Sequence, residues 1–136
     1  MNKSFDKQAF LKEVSEKLTL EINPDVDMGL VLFFENTYKV QIEFLEETIL
    51  LSSIIGEILP SKFREKVFED AMKSNFKTAY SGVLGYSDHQ KNLILVLSYP
   101  VNPPSTDDFA PLLEAFIKKA KDWTEGLKNS NTRLLV

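Results

Sequence analysis

The chain has 136 residues, enough for one domain with one buried core, and 43% of them are hydrophobic, as in ordinary soluble proteins. There are 20 acidic and 16 basic residues, and the resulting net charge of −4 argues against nucleic acids or anionic membrane surfaces as the main partners. Cysteine is absent, which excludes disulfides, thiolate nucleophiles and cysteine-based zinc sites, and no stretch is apolar for long enough to predict membrane insertion.

The first predicted element is an amphipathic helix over residues 4–19. Its apolar positions are spaced as on one helix face, namely Phe10, Leu11, Val14 and Leu18. This charged start lacks the apolar segment of a signal peptide, so we expect a protein of the cytoplasm. The sequence Asn-Pro-Asp at 23–25 is predicted to break the helix.

Three strands are predicted next, over residues 28–34, 38–44 and 48–55. The first is a continuous apolar run, and the second alternates apolar and polar residues, which is typical of a strand with one buried face. The polar segments between these strands are short, at 35–37 and 46–47, and predict turns of an antiparallel meander.

A middle helix is predicted to begin at Ser61, which can cap its N-terminus. Its apolar residues cover more than one narrow stripe, and they are Phe63, Val67, Phe68, Ala71, Met72 and Phe76. A helix that is apolar over a wide arc is often packed on two sides. Packing within one core and packing across a twofold dimer contact both remain open for this helix.

Two strands and a last helix complete the pattern. Residues 81–86 and 93–99 flank a polar turn and predict a β-hairpin, in which 93–99 has the strongest strand signal of the chain. The last helix is predicted to start near Asp107 or Asp108, either of which can cap it, and to run to Leu127.

The element order is α-βββ-α-ββ-α, which predicts an α+β domain with a mostly antiparallel, twisted sheet packed by helices. We expect this domain to span residues 1–128 and the end of the chain, 129–136, to form a flexible tail. Two strands, 30–34 and 93–99, are apolar on both faces. Either the helices sandwich the sheet, or its second face meets another subunit or a ligand.

No residue pattern predicts a catalytic centre, a metal site or a cofactor site. His89, the only histidine, lies in a polar turn with no predicted nucleophile nearby, so a solvated turn residue is the simpler interpretation. Gly82 and Gly85 lack the spacing and the βαβ context of a nucleotide-binding loop and fit a bulged strand better. These observations favour a binding protein over an enzyme.

Several short motifs lie around the middle helix and in the hairpin that follows it. They are Gly56-Glu57-Ile58-Leu59-Pro60, Ser74-Asn75-Phe76, Gly82, Leu84-Gly85-Tyr86 and Tyr99-Pro100-Val101, with Trp123 and Leu127 in the last helix. Together with length, acidity and element order, they resemble the class I chaperones of type III secretion, small acidic dimers typified by the Tir and YopE chaperones. The resemblance covers residues 5–127.

The resemblance implies a bacterial cytoplasmic dimer, formed with itself or with a related small acidic chaperone. Such a dimer binds the N-terminal segment of one or more secreted effectors, keeps that segment extended and delivers it to the secretion apparatus. The resemblance implies no cofactor, no nucleic acid and no membrane insertion. A heterodimer subunit or a regulatory binding protein of the same fold is the alternative function.

The surplus apolar positions and the resemblance together predict two sets of contact residues. The residues expected at the dimer interface are Phe63, Val67, Phe68, Met72, Phe76, Val83 and Leu84. The residues expected to contact the effector are Phe5, Leu11, Val31 and Phe33.

Overall fold

The structure is a computed structural model, and it describes residues 7–25, 29–34, 38–45, 48–100 and 105–136. The described residues form three α-helices, α1 (Lys7–Leu18), α2 (Lys62–Thr78) and α3 (Thr106–Lys128). They also form six strands, β1 (Glu21–Asp25), β2 (Gly29–Phe34), β3 (Tyr38–Phe44), β4 (Thr48–Glu57), β5 (Val83–Ser87) and β6 (Asn92–Pro100). Short 3-10 turns lie at Ala79–Ser81 and Arg133–Leu135.

The strands join in one antiparallel sheet with the order β1-β2-β3-β4-β6-β5, which confirms the predicted α+β class. One strand was not predicted. Residues 23–25, expected to break the first helix, belong to β1 and pair with β2, from Glu21 opposite Phe33 to Asp25 opposite Gly29. Pro24 has no N–H to donate, but β1 lies at an edge of the sheet, where one side of the strand makes no hydrogen bonds to a neighbouring strand. Proline is therefore compatible with this position.

Alternation along the central strands places one face of the sheet in the core. In β3 the buried residues are Val40 and Ile42, and in β4 they alternate with more exposed neighbours from Ile49 onward. Leu95 of β6 lies opposite Ser53 of β4 and is fully buried on the same face. The two-residue period of a strand therefore decides which side chains the helices cover.

α3 covers this face of the sheet. Its buried residues recur every three or four positions, as predicted for a wide apolar stripe, and they include Phe109, Leu113, Phe116, Ile117, Ala120 and Trp123. Ser105 occupies the N-cap position that was predicted for Asp107 or Asp108, and the two carboxylates lie in the first turn, near the positive end of the helix dipole. Lys17 of α1 donates a 2.6 Å hydrogen bond to Asp107, which lowers the pKa of that carboxyl and links the two helices.

The C-terminal residues 129–136, predicted to be a flexible tail, instead fold back onto the helices. Thr132 is 2% exposed, and its hydroxyl donates a 2.7 Å hydrogen bond to Oδ2 of Asp70, a nearly buried residue of α2. Leu135 packs so closely on Gly126 that a Cβ at Gly126 would lie 2.7 Å from Cδ1 of Leu135. These contacts join the segment to α2 and α3, and the domain boundary at residue 128 stays a prediction.

The contact between Thr132 and Asp70 can be tested by substitution. Thr132→Val keeps the shape of the side chain but removes the hydroxyl that donates the hydrogen bond. A carboxylate oxygen of Asp70 then stays buried without this donor. We expect a loss of about 1–3 kcal/mol in the free energy of unfolding, measured by urea denaturation. Thr132→Ser keeps the hydroxyl and should lose less than half as much. Equal losses in the two variants would contradict a role for the hydrogen bond.

Candidate protein-interaction surface

α2 and the turn after it expose large apolar side chains in a row. Met72 is 72% exposed, Phe76 is 93% exposed and Tyr80 is 74% exposed. Their spacing of four residues places them along one side of the helix and its continuation. Val83, at the start of β5, is 44% exposed. We call these four residues the helix surface. Their exposure destabilises an isolated subunit, because burial of large apolar side chains lowers the free energy.

The side of the sheet opposite α3 carries a second set of apolar residues. Ile54 of β4 is 64% exposed and lies directly opposite Ile94 of β6. Val96 of β6 lies opposite Ser52 on one side and Val83 on the other. Directly opposed residues share one face of a sheet. We call this set the outer sheet surface, and it consists of Leu50, Ile54, Ile94 and Val96.

These positions argue against the alternative in which the helices sandwich the sheet. Leu50, Ile94 and Val96 are half-buried and Ile54 is mostly in water, so within the described residues no helix covers this part of the sheet. Val83 belongs to the helix surface and continues the row from Ser52 through Val96. The two apolar surfaces are therefore adjacent.

The junction between α2 and β5 is held by two polar side chains. The amide of Asn75 contacts the backbone of Leu84 twice, because Nδ2 donates to the carbonyl oxygen at 2.8 Å and Oδ1 accepts from the N–H at 2.7 Å. Lys119 of α3 reaches the same junction, where Nζ donates to the carbonyl oxygen of Gly82 at 2.7 Å and to the carbonyl and hydroxyl oxygens of Thr78 at 3.0 Å each. Burial lowers the pKa of Lys119.

Gly82 is required at the turn into β5. Its φ of +131° lies in a region that residues with a side chain rarely adopt, and a Cβ there would lie 2.8 Å from Cδ1 of the buried Leu95. The glycine therefore lets the chain leave the 3-10 turn and enter the strand directly over the core. This close approach is what places Val83 beside the end of α2.

The start of α2 packs on β5 through an aromatic pair. The rings of Phe68 and Tyr86 meet edge to face with centroids 5.1 Å apart. The guanidinium of Arg64 lies 5.1 Å from the centre of the Phe68 ring and 5.0 Å from that of Tyr86, within the range of a cation–π contact. This cluster fixes the orientation of α2, so that the helix surface points away from the core.

The structure divides the residues predicted for the dimer interface into three groups. Met72, Phe76 and Val83 are exposed, and Phe63 and Phe68 are half-buried against the core. Val67 and Leu84 need correction, since they are 0% and 5% exposed in the single subunit and their side chains fill the core. Tyr80 was not predicted, although its position four residues after Phe76 extends the helical spacing past the end of α2.

Leu11 needs the same correction among the residues predicted to contact an effector. It is 1% exposed and part of the core, so its side chain does not reach the surface. Phe5 lies outside the described residues. Val31 and Phe33 lie in β2, and their side chains are outside the described part of the structure. Ile54, the most exposed apolar residue of the outer sheet surface, was not among the predicted contact residues.

His89 and the possible metal ligands are the remaining candidate groups. His89 is exposed in the turn between β5 and β6. In the ranges that the structure describes, no three His, Asp or Glu side chains are grouped so that they could hold a metal ion. Among the described helices, none has the length and apolarity needed to cross a bilayer.

Solved structures share the fold at low sequence identity. A chain of the heterodimeric ExoU–SpcU complex from the type III secretion system of Pseudomonas aeruginosa is 17% identical, with a TM-score of 0.63 over 84% of this chain and 93% of that chain. A chain of the Yersinia pestis type III secretion chaperone SycH in complex with a fragment of YscM2 is 16% identical, with a TM-score of 0.59 over 83% and 95%. YbjN from E. coli, a putative transcription regulator, is 17% identical, with a TM-score of 0.65 over 91% and 93%.

The family is shown by the sequence and not by these structural likenesses, which at such identities establish the fold alone. No curated protein matches the sequence significantly. The family model described as "Tir chaperone protein (CesT) family" matches residues 9–124. This range includes the whole sheet, α2, and all but the first residues of α1 and the last residues of α3. The chain therefore belongs to the Tir chaperone protein (CesT) family.

Proposed function

We propose that the protein is a type III secretion chaperone that acts as a dimer in the bacterial cytoplasm. It binds the N-terminal segment of a secreted effector, keeps that segment extended and delivers it to the secretion apparatus. The observation that carries the proposal is the helix surface, with Phe76 93% exposed, in a chain of a chaperone family. The proposed role is binding and includes no catalytic step.

A second copy of the chain is the proposed occupant of the helix surface. A twofold contact brings the same patch of both copies together, so each apolar side chain of one copy can pack on those of the other. Charged residues of α2 lie beside the apolar row, where Lys73 pairs with Glu69 at 3.1 Å. An apolar centre with charged residues around it is the usual arrangement of a protein interface. The predicted roles of Met72, Phe76 and Val83 become part of this proposal, whereas Phe63 and Phe68 are half-buried against the core.

An extended segment of the effector is the proposed occupant of the outer sheet surface. Leu50, Ile54, Ile94 and Val96 offer a row of apolar contacts to a chain that has no fold of its own. Such a segment pays conformational entropy when it orders, so its affinity has to come from many apolar contacts along a long path. Solved relatives of this fold include a secretion chaperone in complex with a fragment of a second protein.

The proposed function is tested by purifying the tagged protein from its native host and identifying by mass spectrometry what stays bound. We expect a larger protein whose N-terminal segment is necessary and sufficient for binding. Ile54→Lys should reduce the recovery at least about tenfold, because it places a charge in an apolar contact. Leu134→Lys, at an exposed position outside both surfaces, is the matched control. Recovery of a small acidic subunit and no effector would instead support the heterodimer or regulatory alternative.

A further inference from the structure

β5 lies at an edge of the sheet, but the backbone N–H and carbonyl of Leu84 are already hydrogen-bonded to the side chain of Asn75. In an antiparallel ladder, two directly opposed residues can exchange two N–H···O=C hydrogen bonds. The amide of Asn75 makes the same two bonds with Leu84, at 2.7 and 2.8 Å. This side chain of α2 therefore takes the place that one residue of an added strand would occupy.

The position two residues before Leu84 is occupied as well. The carbonyl oxygen of Gly82 accepts from Nζ of Lys119 at 2.7 Å, and its N–H donates to the carbonyl of Ala79 at 3.0 Å. Lys119 is 9% exposed, so its ammonium group is held at this junction and is not a mobile surface charge. Side chains from two different helices thus meet on the same short stretch of backbone.

An open strand edge is a template for pairing with another chain, and folded proteins commonly block such edges. A strand that added to β5 would have to displace the amide of Asn75 from Leu84 and leave its donor and acceptor without partners, which is unfavourable. We propose that Asn75 and Lys119 close the β5 edge to strand addition. Partners then meet this side of the molecule through the side chains of the helix surface, and strand pairing is excluded here.

The experiment uses the full chain with Phe76→Glu, so that a dimer through the helix surface does not mask association through the strand edge. In this background we compare Asn75→Ala with Val14→Ala. Val14 is fully buried on α1, so its truncation destabilises the core without touching β5. Hydrogen exchange measured by NMR reports the protection of the Leu84 amide, and sedimentation velocity reports association.

In dilute Asn75→Ala, where the chain is monomeric, we expect the Leu84 amide to exchange at least about tenfold faster than in the parent, because its acceptor is gone. At higher protein concentration we expect larger species that gain β-sheet signal in infrared spectra. With Val14→Ala, we expect neither a selective change at Leu84 nor association. A protected Leu84 amide in a non-associating Asn75→Ala chain would overturn the proposal, and so would equal association of Val14→Ala.

Lys119→Met provides a second variant should Asn75→Ala fail to fold. It keeps the long side chain and removes the bonds to Gly82 and Thr78, so it should produce the same association to a smaller extent. A folded Lys119→Met chain without association would count against the proposal. These measurements use no effector and no helix-surface dimer, so their outcome is independent of the proposed chaperone function.

Discussion

Phe76→Glu is expected to convert the proposed dimer into monomers by weakening its affinity about 30-fold or more, which corresponds to about 2 kcal/mol. Phe76 is 93% exposed in the single subunit and lies at the centre of the helix surface. A carboxylate there would have to lose its water in the contact without a partner to replace it. Because a twofold contact uses the patch twice, both copies carry this penalty. Sedimentation velocity at tens of micromolar measures the change.

The same substitution should leave the folding of each subunit intact, because Phe76 contributes almost nothing to the core. Circular dichroism should therefore show unchanged secondary structure. Leu134→Glu is the matched control, since Leu134 is 84% exposed and lies outside the helix surface. We expect this variant to remain dimeric. A monomeric wild-type chain, or a Phe76→Glu chain that stays dimeric, would contradict the proposed interface.

Phe109→Ala is expected to have the largest effect on stability, a loss of about 3–5 kcal/mol in the free energy of unfolding. Phe109 is fully buried at the start of α3. Its ring lies 5.3 Å from that of Phe10 in α1 and 5.5 Å from that of Tyr99 in β6, measured between ring centres. Truncation would therefore leave a cavity where α1, α3 and β6 meet.

Urea denaturation measures this loss as a shift of the unfolding midpoint at an unchanged slope. Leu112→Ala in the same helix provides the comparison, because Leu112 is only half-buried and packs at the margin of the core. We expect it to lose less than half as much stability. A loss under about 1 kcal/mol for Phe109→Ala would show that the three elements do not depend on this ring.

α2 has an inner side that faces the core and an outer side that faces water. Val67 faces the core and Phe76 faces water, although both are large apolar residues of one helix. Arg64, Phe68 and Asn75 contact β5 and fix the rotation of the helix between these two directions. An isolated subunit thus exposes an apolar row that its own core does not bury.

Local patterns were sufficient to predict most of the elements. Alternation in 38–44 predicted the buried side of β3, and the helical stripe from Phe109 to Trp123 predicted the face of α3 that packs on the sheet. Such patterns work because the periods of strand and helix are set by backbone geometry, which depends little on the rest of the chain. Met72, Phe76 and Val83 were predicted as dimer contacts and are exposed in the single subunit, and their role in a dimer stays a prediction.

Other features depended on contacts between segments far apart in the sequence. β1 forms at an Asn-Pro-Asp sequence of low strand propensity because pairing with β2 supplies its hydrogen bonds, and residues 129–136 are ordered because Thr132 meets Asp70 across the fold. Periodicity states which residues of α2 share a side but not which side faces inward. Packing against β5 settles that direction, so it buries Val67 and Leu84 and leaves Phe76 and Tyr80 in water.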